Sequence, residues 1–147
     1  MQYILRDAAS EDLNFIFNSY LKSYHDNAPV KFVAPTLYYK HQSKELEFLI
    51  RHAKCAIACF PEDGSEIISW VLYEYFADNL ILHYVYTKQP SRRLGIAKDI
   101  ITTLLGPRKL IIATHAPDEF TRLRKKLPVK TIYDPYFIQD KKLRDSE

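Results

Sequence analysis

The sequence is poor in glycine, cysteine and long apolar runs, and each shortage excludes something. Three of its 147 residues are glycine, against eight prolines. This rules out collagen-like and glycine-rich low-complexity chains and leaves each glycine to be read for a backbone requirement. Two cysteines cannot staple a disulfide-dense secreted scaffold. No apolar run approaches the roughly 20 residues that cross a bilayer, and the N-terminus lacks a basic stretch followed by an apolar one. The expectation is a soluble chain in a reducing, cytoplasmic setting, with no membrane partner. What the sequence does contain, 47% hydrophobic and 14% aromatic residues, is enough to bury a substantial core, so a single domain over residues 1–147 is expected.

Net charge is +3 but unevenly placed. Residues 1–87 hold 7 Lys and Arg against 11 Asp and Glu, whereas residues 88–147 hold 14 against 7. The second half therefore suits an anionic partner, either the phosphates of a cofactor or a nucleic-acid backbone, although a solvated basic surface has the same composition.

Periodicity orders the elements. Tyr3–Leu5 reads as a short strand. Ser10 is placed to cap a helix whose apolar residues Leu13, Ile16, Phe17, Tyr20, Leu21 and Tyr24 keep helical spacing. Pro35 opens a second helix through Leu46, Leu49, Ile50 and Ala53, with residues 25–34 as the intervening loop. From Cys55 the period becomes extended: Cys55–Phe60, a turn at Glu62–Ser65, Ile67–Phe76, a turn at Asp78–Asn79, and Leu80–Thr87 form an antiparallel meander. A third helix is expected from about Arg93, with Leu94, Ala97, Ile100, Ile101, Leu104 and Leu105 on one face, stopped by Gly106-Pro107. Leu110–Ala113 is a fifth strand, Pro117 opens a fourth helix through Phe120, Leu123 and Leu127, and Val129–Tyr133 is a sixth strand with a short partner at Tyr136–Ile138. The order β-α-α-β-β-β-α-β-α-β predicts an α/β domain with a mixed sheet and helices on its faces.

The junction of the fourth strand and third helix carries the strongest chemical signal. A helix N-terminus offers unpaired N–H groups and a positive dipole end, both suited to phosphate. Gly95 and Ala97 lack bulk where a ligand must approach the backbone, and Arg92 and Arg93 add charge. An ordinary strand-to-helix connection with solvated arginines remains the alternative reading of the bare motif.

Arg92-x-x-Gly95-x-Ala97 resembles the Arg/Gln-x-x-Gly-x-Gly/Ala signature of the GNAT N-acetyltransferase superfamily. The element order over nearly the whole chain is similar too, which implies a mixed, mostly antiparallel central sheet. The resemblance implies N-acyl transfer by direct attack, from acetyl-CoA to a primary amine on a small molecule or protein. It places the pyrophosphate on the amides of Arg93, Leu94, Gly95, Ile96 and Ala97 beside Arg92, and the pantetheine arm along Val85, Tyr86 and Thr87. The pattern is not complete. Lys88 and Gln89 precede Pro90 where many members have an acidic residue, and His115 and Arg122 replace a frequent asparagine and the usual helix-four tyrosine.

Acetyl transfer to an ammonium needs a base and a donor to the thioester oxyanion. His83, on strand four, is the candidate base, at an offset from Gly95 similar to that of a strand-four histidine in serotonin-type N-acetyltransferases; a structural histidine is its alternative. The resemblance implies the Tyr86 N–H as oxyanion donor. Tyr133 and Tyr136 are candidate proton donors to the leaving thiolate, and His115 either faces the cleft or caps the helix after it. Asp26, Glu45 and Glu47 are acidic positions able to attract a cationic amine. Cys55 and Cys59 lack the further ligands of a zinc site, and no Gly-x-Ser-x-Gly elbow supports a hydrolase. The basic tract Arg122, Arg124, Lys125, Lys126 and Lys130 keeps open a catalytically inactive module that binds nucleic acid or another anionic partner.

Overall fold

A computed structural model of the chain describes residues 2–27, 30–92 and 94–145. Six strands, β1 (Ile4–Asp7), β2 (Lys54–Phe60), β3 (Asp63–Phe76), β4 (Asn79–Thr87), β5 (Leu110–Ala113) and β6 (Lys130–Tyr133), lie side by side in sequence order in one sheet. Tight turns join β2, β3 and β4 as antiparallel neighbours, β1 pairs antiparallel with β2 across the helical segment between them, and β5 is parallel to β4 and β6 to β5. Parallel neighbours require crossovers, and the helices α3 (Ile96–Leu105) and α4 (Asp118–Leu123) supply them. Helices α1 (Leu13–His25) and α2 (Pro35–His52) precede the meander, and α5 (Phe137–Asp145) ends the chain.

Side-chain alternation along the strands divides the core in two. Ile57, Cys59, Trp70, Leu72 and Tyr84 pack with Ile16 and Tyr20 of α1, Leu46 and Leu49 of α2 and Ile138 of α5. On the opposite face, Ala56, Ala58, Val71, Tyr73, Leu80 and Leu82 meet Ile96, Ile100, Ile101 and Leu105 of α3 and Phe120 of α4. Burying each large aliphatic or aromatic side chain contributes about 1.5–3 kcal/mol, so the apolar stripes read from the sequence also dock the helices.

One irregularity positions the site. Leu72 pairs with Tyr84 but Tyr73 pairs with Leu82, leaving His83 as an extra residue in β4. The bulge resets the alternation: Leu80 and Leu82 face α3, Tyr84 faces α1, and Val85 faces α3 again.

Four local expectations are corrected. Ser10 makes no side-chain cap. Residues Ser10–Asp12 form a 3-10 turn in which Asp12 reaches back to accept the Ala9 N–H at 2.7 Å. The third helix starts at Ile96, so Leu94 lies outside it and is 57% exposed instead of joining the apolar stripe. The fourth helix ends sooner, at Leu123, passing into a 3-10 turn over Arg124–Lys126. Finally, Tyr136–Ile138 forms no strand. Asp134 accepts the Tyr136 N–H through its side chain at 3.0 Å, turning the chain into α5, where Phe137 and Ile138 are buried. Gly106 does stop α3, with a positive φ of 58° and its N–H on Thr102 O at 3.2 Å.

Candidate active site

Strands β4 and β5 run together only from Leu80–Leu82 against Ile111–Ala113. The Thr114 N–H to Leu82 O bond, 3.1 Å, is their last rung. Beyond it β4 continues to Thr87 with no partner strand on that side among the described residues, so the two strands part like the arms of a fork. The register shows which amides face the opening. Lys88 N–H bonds Ile68 O at 2.9 Å and Ser69 stands opposite Thr87. This makes Ser69–Thr87 the non-hydrogen-bonded kind of pair and Trp70–Tyr86 the hydrogen-bonded kind. The Tyr86 N–H is therefore turned toward β3, correcting its expected role as oxyanion donor; the amides of Val85 and Thr87 face the fork.

Two cavities flank this part of β4. The larger, about 720 Å³, lies on the α3 face and is lined by Thr87, Ser91, Gly95, Ile96, Ala97 and α4 residues including Glu119 and Arg122. Gly95 holds φ 81°, ψ 6° as the N-cap of α3, a left-handed conformation natural to glycine, and no side chain caps the helix. The first-turn N–H groups are left for another acceptor. Arg92, Lys98, Arg122 and Lys126 line the same cavity against the single acid Glu119. Two members of the basic tract, Arg122 and Lys126, thus line this cavity, while Arg124 turns away and donates to Thr131 O at 3.1 Å. Arg93 lies outside the described residues.

The smaller cavity, about 370 Å³, lies on the α1 face and is lined by Phe15, Asn18, Lys22, Ser23, Asp26 and Tyr86 among others. Asn18, Lys22 and Asp26 are four apart, one per helical turn. This polar stripe was legible in the sequence but hidden behind the apolar stripe that identified α1. Arg92 lines both cavities, anchored by its Nε on Thr87 O at 2.8 Å. Tyr86 and Thr87 are adjacent in β4, so alternation sends one side chain into each cavity.

The other expected residues are placed differently. His83 is 1% exposed and lines neither cavity. Its Nε2 lies 2.6 Å from Glu74 Oε2 and its Nδ1 2.9 Å from Thr114 Oγ1. Burial holds the His83 pKa below its ordinary value despite the opposing attraction of Glu74. Burial acts to raise the Glu74 pKa, but its bonds to His83 and to Lys141, also 2.6 Å, leave it lowered. His115 is buried as well, lines neither of the two cavities and does not cap α4. Its Nδ1 is 3.0 Å from Thr114 Oγ1, and its Nε2 is 3.1 Å from the Tyr20 hydroxyl and 3.3 Å from Glu45. Tyr133 and Tyr136 are 49% and 66% exposed near the β6 edge and line neither cavity. Tyr84 went unnoticed: its hydroxyl lies 2.7 Å from Ser23 Oγ, in the wall of the smaller cavity, and burial pushes its pKa well up, so the phenol keeps its proton.

No protein-family model and no curated protein matches the sequence. Solved structures do match. A structure of histone acetyltransferase HPA2 and related acetyltransferase from Corynebacterium glutamicum superposes with a TM-score of 0.62 at 12% identity, covering 86% of this chain and 83% of that one. A predicted acetyltransferase with acetyl-CoA from Clostridium acetobutylicum gives 0.56 at 16% identity, over 88% and 90%. The chain has the GNAT acetyltransferase fold. A possible acetyltransferase from Clostridium difficile spans 99% of this chain at a TM-score of 0.50 and 15% identity. The GNAT fold matches the six-stranded mixed sheet with its flanking helices. Among the described residues no helix is long and apolar enough to cross a membrane.

Proposed function

We propose that the protein is an N-acetyltransferase that moves an acetyl group from acetyl-CoA to a primary amine by direct attack. The observation that carries this reading is the pair of cavities on opposite faces of the β4 end, one basic and closed by an uncapped helix N-terminus, the other polar and aromatic. The α3 cavity takes the donor: first-turn amides after Gly95, with Arg92, Lys98, Arg122 and Lys126, bind its phosphates. Acetyl-CoA brings the activated thioester; the chain supplies position, charge and protons.

The Val85 amide, the first past the bulge to face the fork, polarises the thioester carbonyl as negative charge develops there. The acceptor enters from the α1 cavity, where Asp26 attracts its ammonium and Phe15 and Tyr86 pack its carbon frame. Tyr84, acting through Ser23, is the proton donor in place of Tyr133 and Tyr136. Direct attack needs no enzyme nucleophile. This agrees with Cys55, whose thiol is pushed up to about 12 by burial and so stays protonated at neutral pH. His83, walled off from both cavities, acts on the reaction only through other groups.

Calorimetric titration with acetyl-CoA, followed by thiol-release assays over a panel of primary amines, tests this. Micromolar-range binding, about −8 kcal/mol, with amine-dependent thiol release supports it. No binding, with strongly salt-dependent association with duplex DNA, would instead support the nucleic-acid module.

A further inference from the structure

The contacts around His83 and His115 fix a proton count. Glu74 is a lowered, ionised carboxylate that also accepts from Lys141, so His83 Nε2 must carry a proton to meet it at 2.6 Å. At the other end, the Tyr20 hydroxyl spends its proton on Gln42 Oε1 at 2.8 Å. His115 Nε2 then faces two acceptors, Tyr20 Oη and the Glu45 carboxylate, and must carry a proton too. Between the rings stands one hydroxyl, Thr114 Oγ1, within 2.9 Å of His83 Nδ1 and 3.0 Å of His115 Nδ1. A hydroxyl has one proton to donate. If it goes to His83, then His115 must donate back and is an imidazolium; if it goes to His115, His83 is the imidazolium. With every one of these contacts counted as a hydrogen bond, the pair holds a single excess proton either way, and with Glu74, Glu45 and Lys141 the chain of groups is neutral.

We propose that His115, Thr114 and His83 form a proton relay in which the charge state of Glu45 decides which histidine carries the excess proton. The step balances. The Nδ1–H of His115 passes to Thr114 Oγ1 as the hydroxyl proton passes to His83 Nδ1, so an N–H bond breaks at His115, one O–H bond forms and another breaks at Thr114, an N–H bond forms at His83, and no proton is gained or lost. At rest the charge sits on His115 beside Glu45, in accord with the burial that disfavours charge on His83. Protonation of Glu45 removes the counter-charge, and the excess proton steps to His83, where Glu74 supplies another. The charged and titratable groups that face the pair are Glu74 on β3, Lys141 on α5, Glu45 on α2, Tyr20 and Tyr24 on α1 and Tyr84 on β4, and Lys142 on α5 acts on Glu45.

Thr114, whose N–H bonds Leu82 O, places the middle of the relay at the base of the fork. Its use rests on the acetyl-transfer reading. When an ammonium attacks the thioester, the C–N bond forms and the C–S bond breaks. Of the ammonium's three protons one stays on the amide, one replaces the proton that Tyr84 gives the thiolate through Ser23, and one must leave. Glu45 lines neither cavity, but with its side chain 28% exposed it takes up the departing proton by way of solvent, and the relay absorbs the change in charge. His83, Thr114 and His115 are positioning residues in this account, since none touches a cavity.

Nitrogen-detected NMR of the histidine rings tests the relay in the free protein at about pH 8, above the ordinary histidine value of about 6.5. The wild type should show one imidazolium signature, at His115, and a neutral Nε2–H ring at His83. Glu45→Gln should move the imidazolium signature to His83. Adding Thr114→Val should abolish the move, whereas Thr114→Ser, which keeps the hydroxyl, should preserve it. Two neutral rings in the wild type, or His83 shifts indifferent to Glu45→Gln, overturn the relay, and neither result needs the valine variant to fold. Calorimetry with acetyl-CoA on the same samples separates the two ideas. Absence of binding heat sinks the acetyl-transfer reading and leaves the ring signals to decide the relay.

Discussion

Changing Gly95 to Asn or to Asp separates the geometry of the donor cavity from its charge. At φ 81° and ψ 6° an alanine would meet left-handed strain of roughly 1–2 kcal/mol, although an added Cβ finds nothing within 4 Å. Asn and Asp tolerate this region better than other side chains, so both variants should fold with a stability loss of about 1 kcal/mol or less. They are nearly the same size and differ in one negative charge beside the uncapped first turn of α3. A carboxylate about 6 Å from one phosphate charge opposes it by about 0.7 kcal/mol at the permittivity of water and about 2.8 kcal/mol at an effective value of 20. Gly95→Asp should therefore bind acetyl-CoA about 3- to 100-fold more weakly than Gly95→Asn. Calorimetric titration at low and at high salt measures the gap, which should narrow as salt screens it. Gly64→Ala is the control: its added Cβ also meets open space, without a positive φ. Equal affinities for the folded Asn and Asp variants would remove the phosphates from the α3 N-terminus.

Further outcomes follow from individual contacts. Arg122→Ala and Lys126→Ala should each weaken acetyl-CoA binding by about 0.5–1.5 kcal/mol, whereas Lys125→Ala, outside the cavity lining, should leave the isotherm unchanged. Asp12, hydrogen-bonded to Arg6 at 2.7 and 2.9 Å, titrates below its ordinary value because of that bond. Its contribution is complete above the unfolded carboxyl value and fades as pH falls through the lower folded one. Asp12→Asn should thus cost about 1.5–3 kcal/mol at pH 7 and much less in acid, read from urea midpoints at both pH values. Ser19→Ala leaves the buried Trp70 indole N–H, now 2.9 Å from Ser19 Oγ, without its partner, at about 1–3 kcal/mol in the same assay. Tyr84→Phe should lower thiol release with little change in acetyl-CoA affinity; unchanged turnover would return the donor role to another group.

Much of this protein was legible in residue order because the responsible forces are local. Apolar spacing along Ile16–Tyr20 and Ile100–Leu105 gives helices wherever it occurs, β-branched and aromatic runs give strands, and Gly106-Pro107 ends a helix by its own stereochemistry. The turn at Gly95, proposed to bind phosphate, was visible for the same reason, since one residue's left-handed conformation and the helix it begins belong to a single segment. Tertiary structure decided the rest. The bulge at His83 exists only against β3, and it turned the expected base into a buried link between Glu74 and Thr114. The Tyr86 amide lost its expected role because the hydrogen-bond phase of a strand is set by its neighbour. Tyr133 and Tyr136 went to the sheet edge because Asp134 turns the chain into α5, which brings Lys141 to Glu74. Those contacts join residues up to 95 positions apart, as Tyr20 and His115 are. Composition and periodicity report which face of an element is apolar, whereas the partner each polar atom finds across such a distance depends on how the whole chain closes its core.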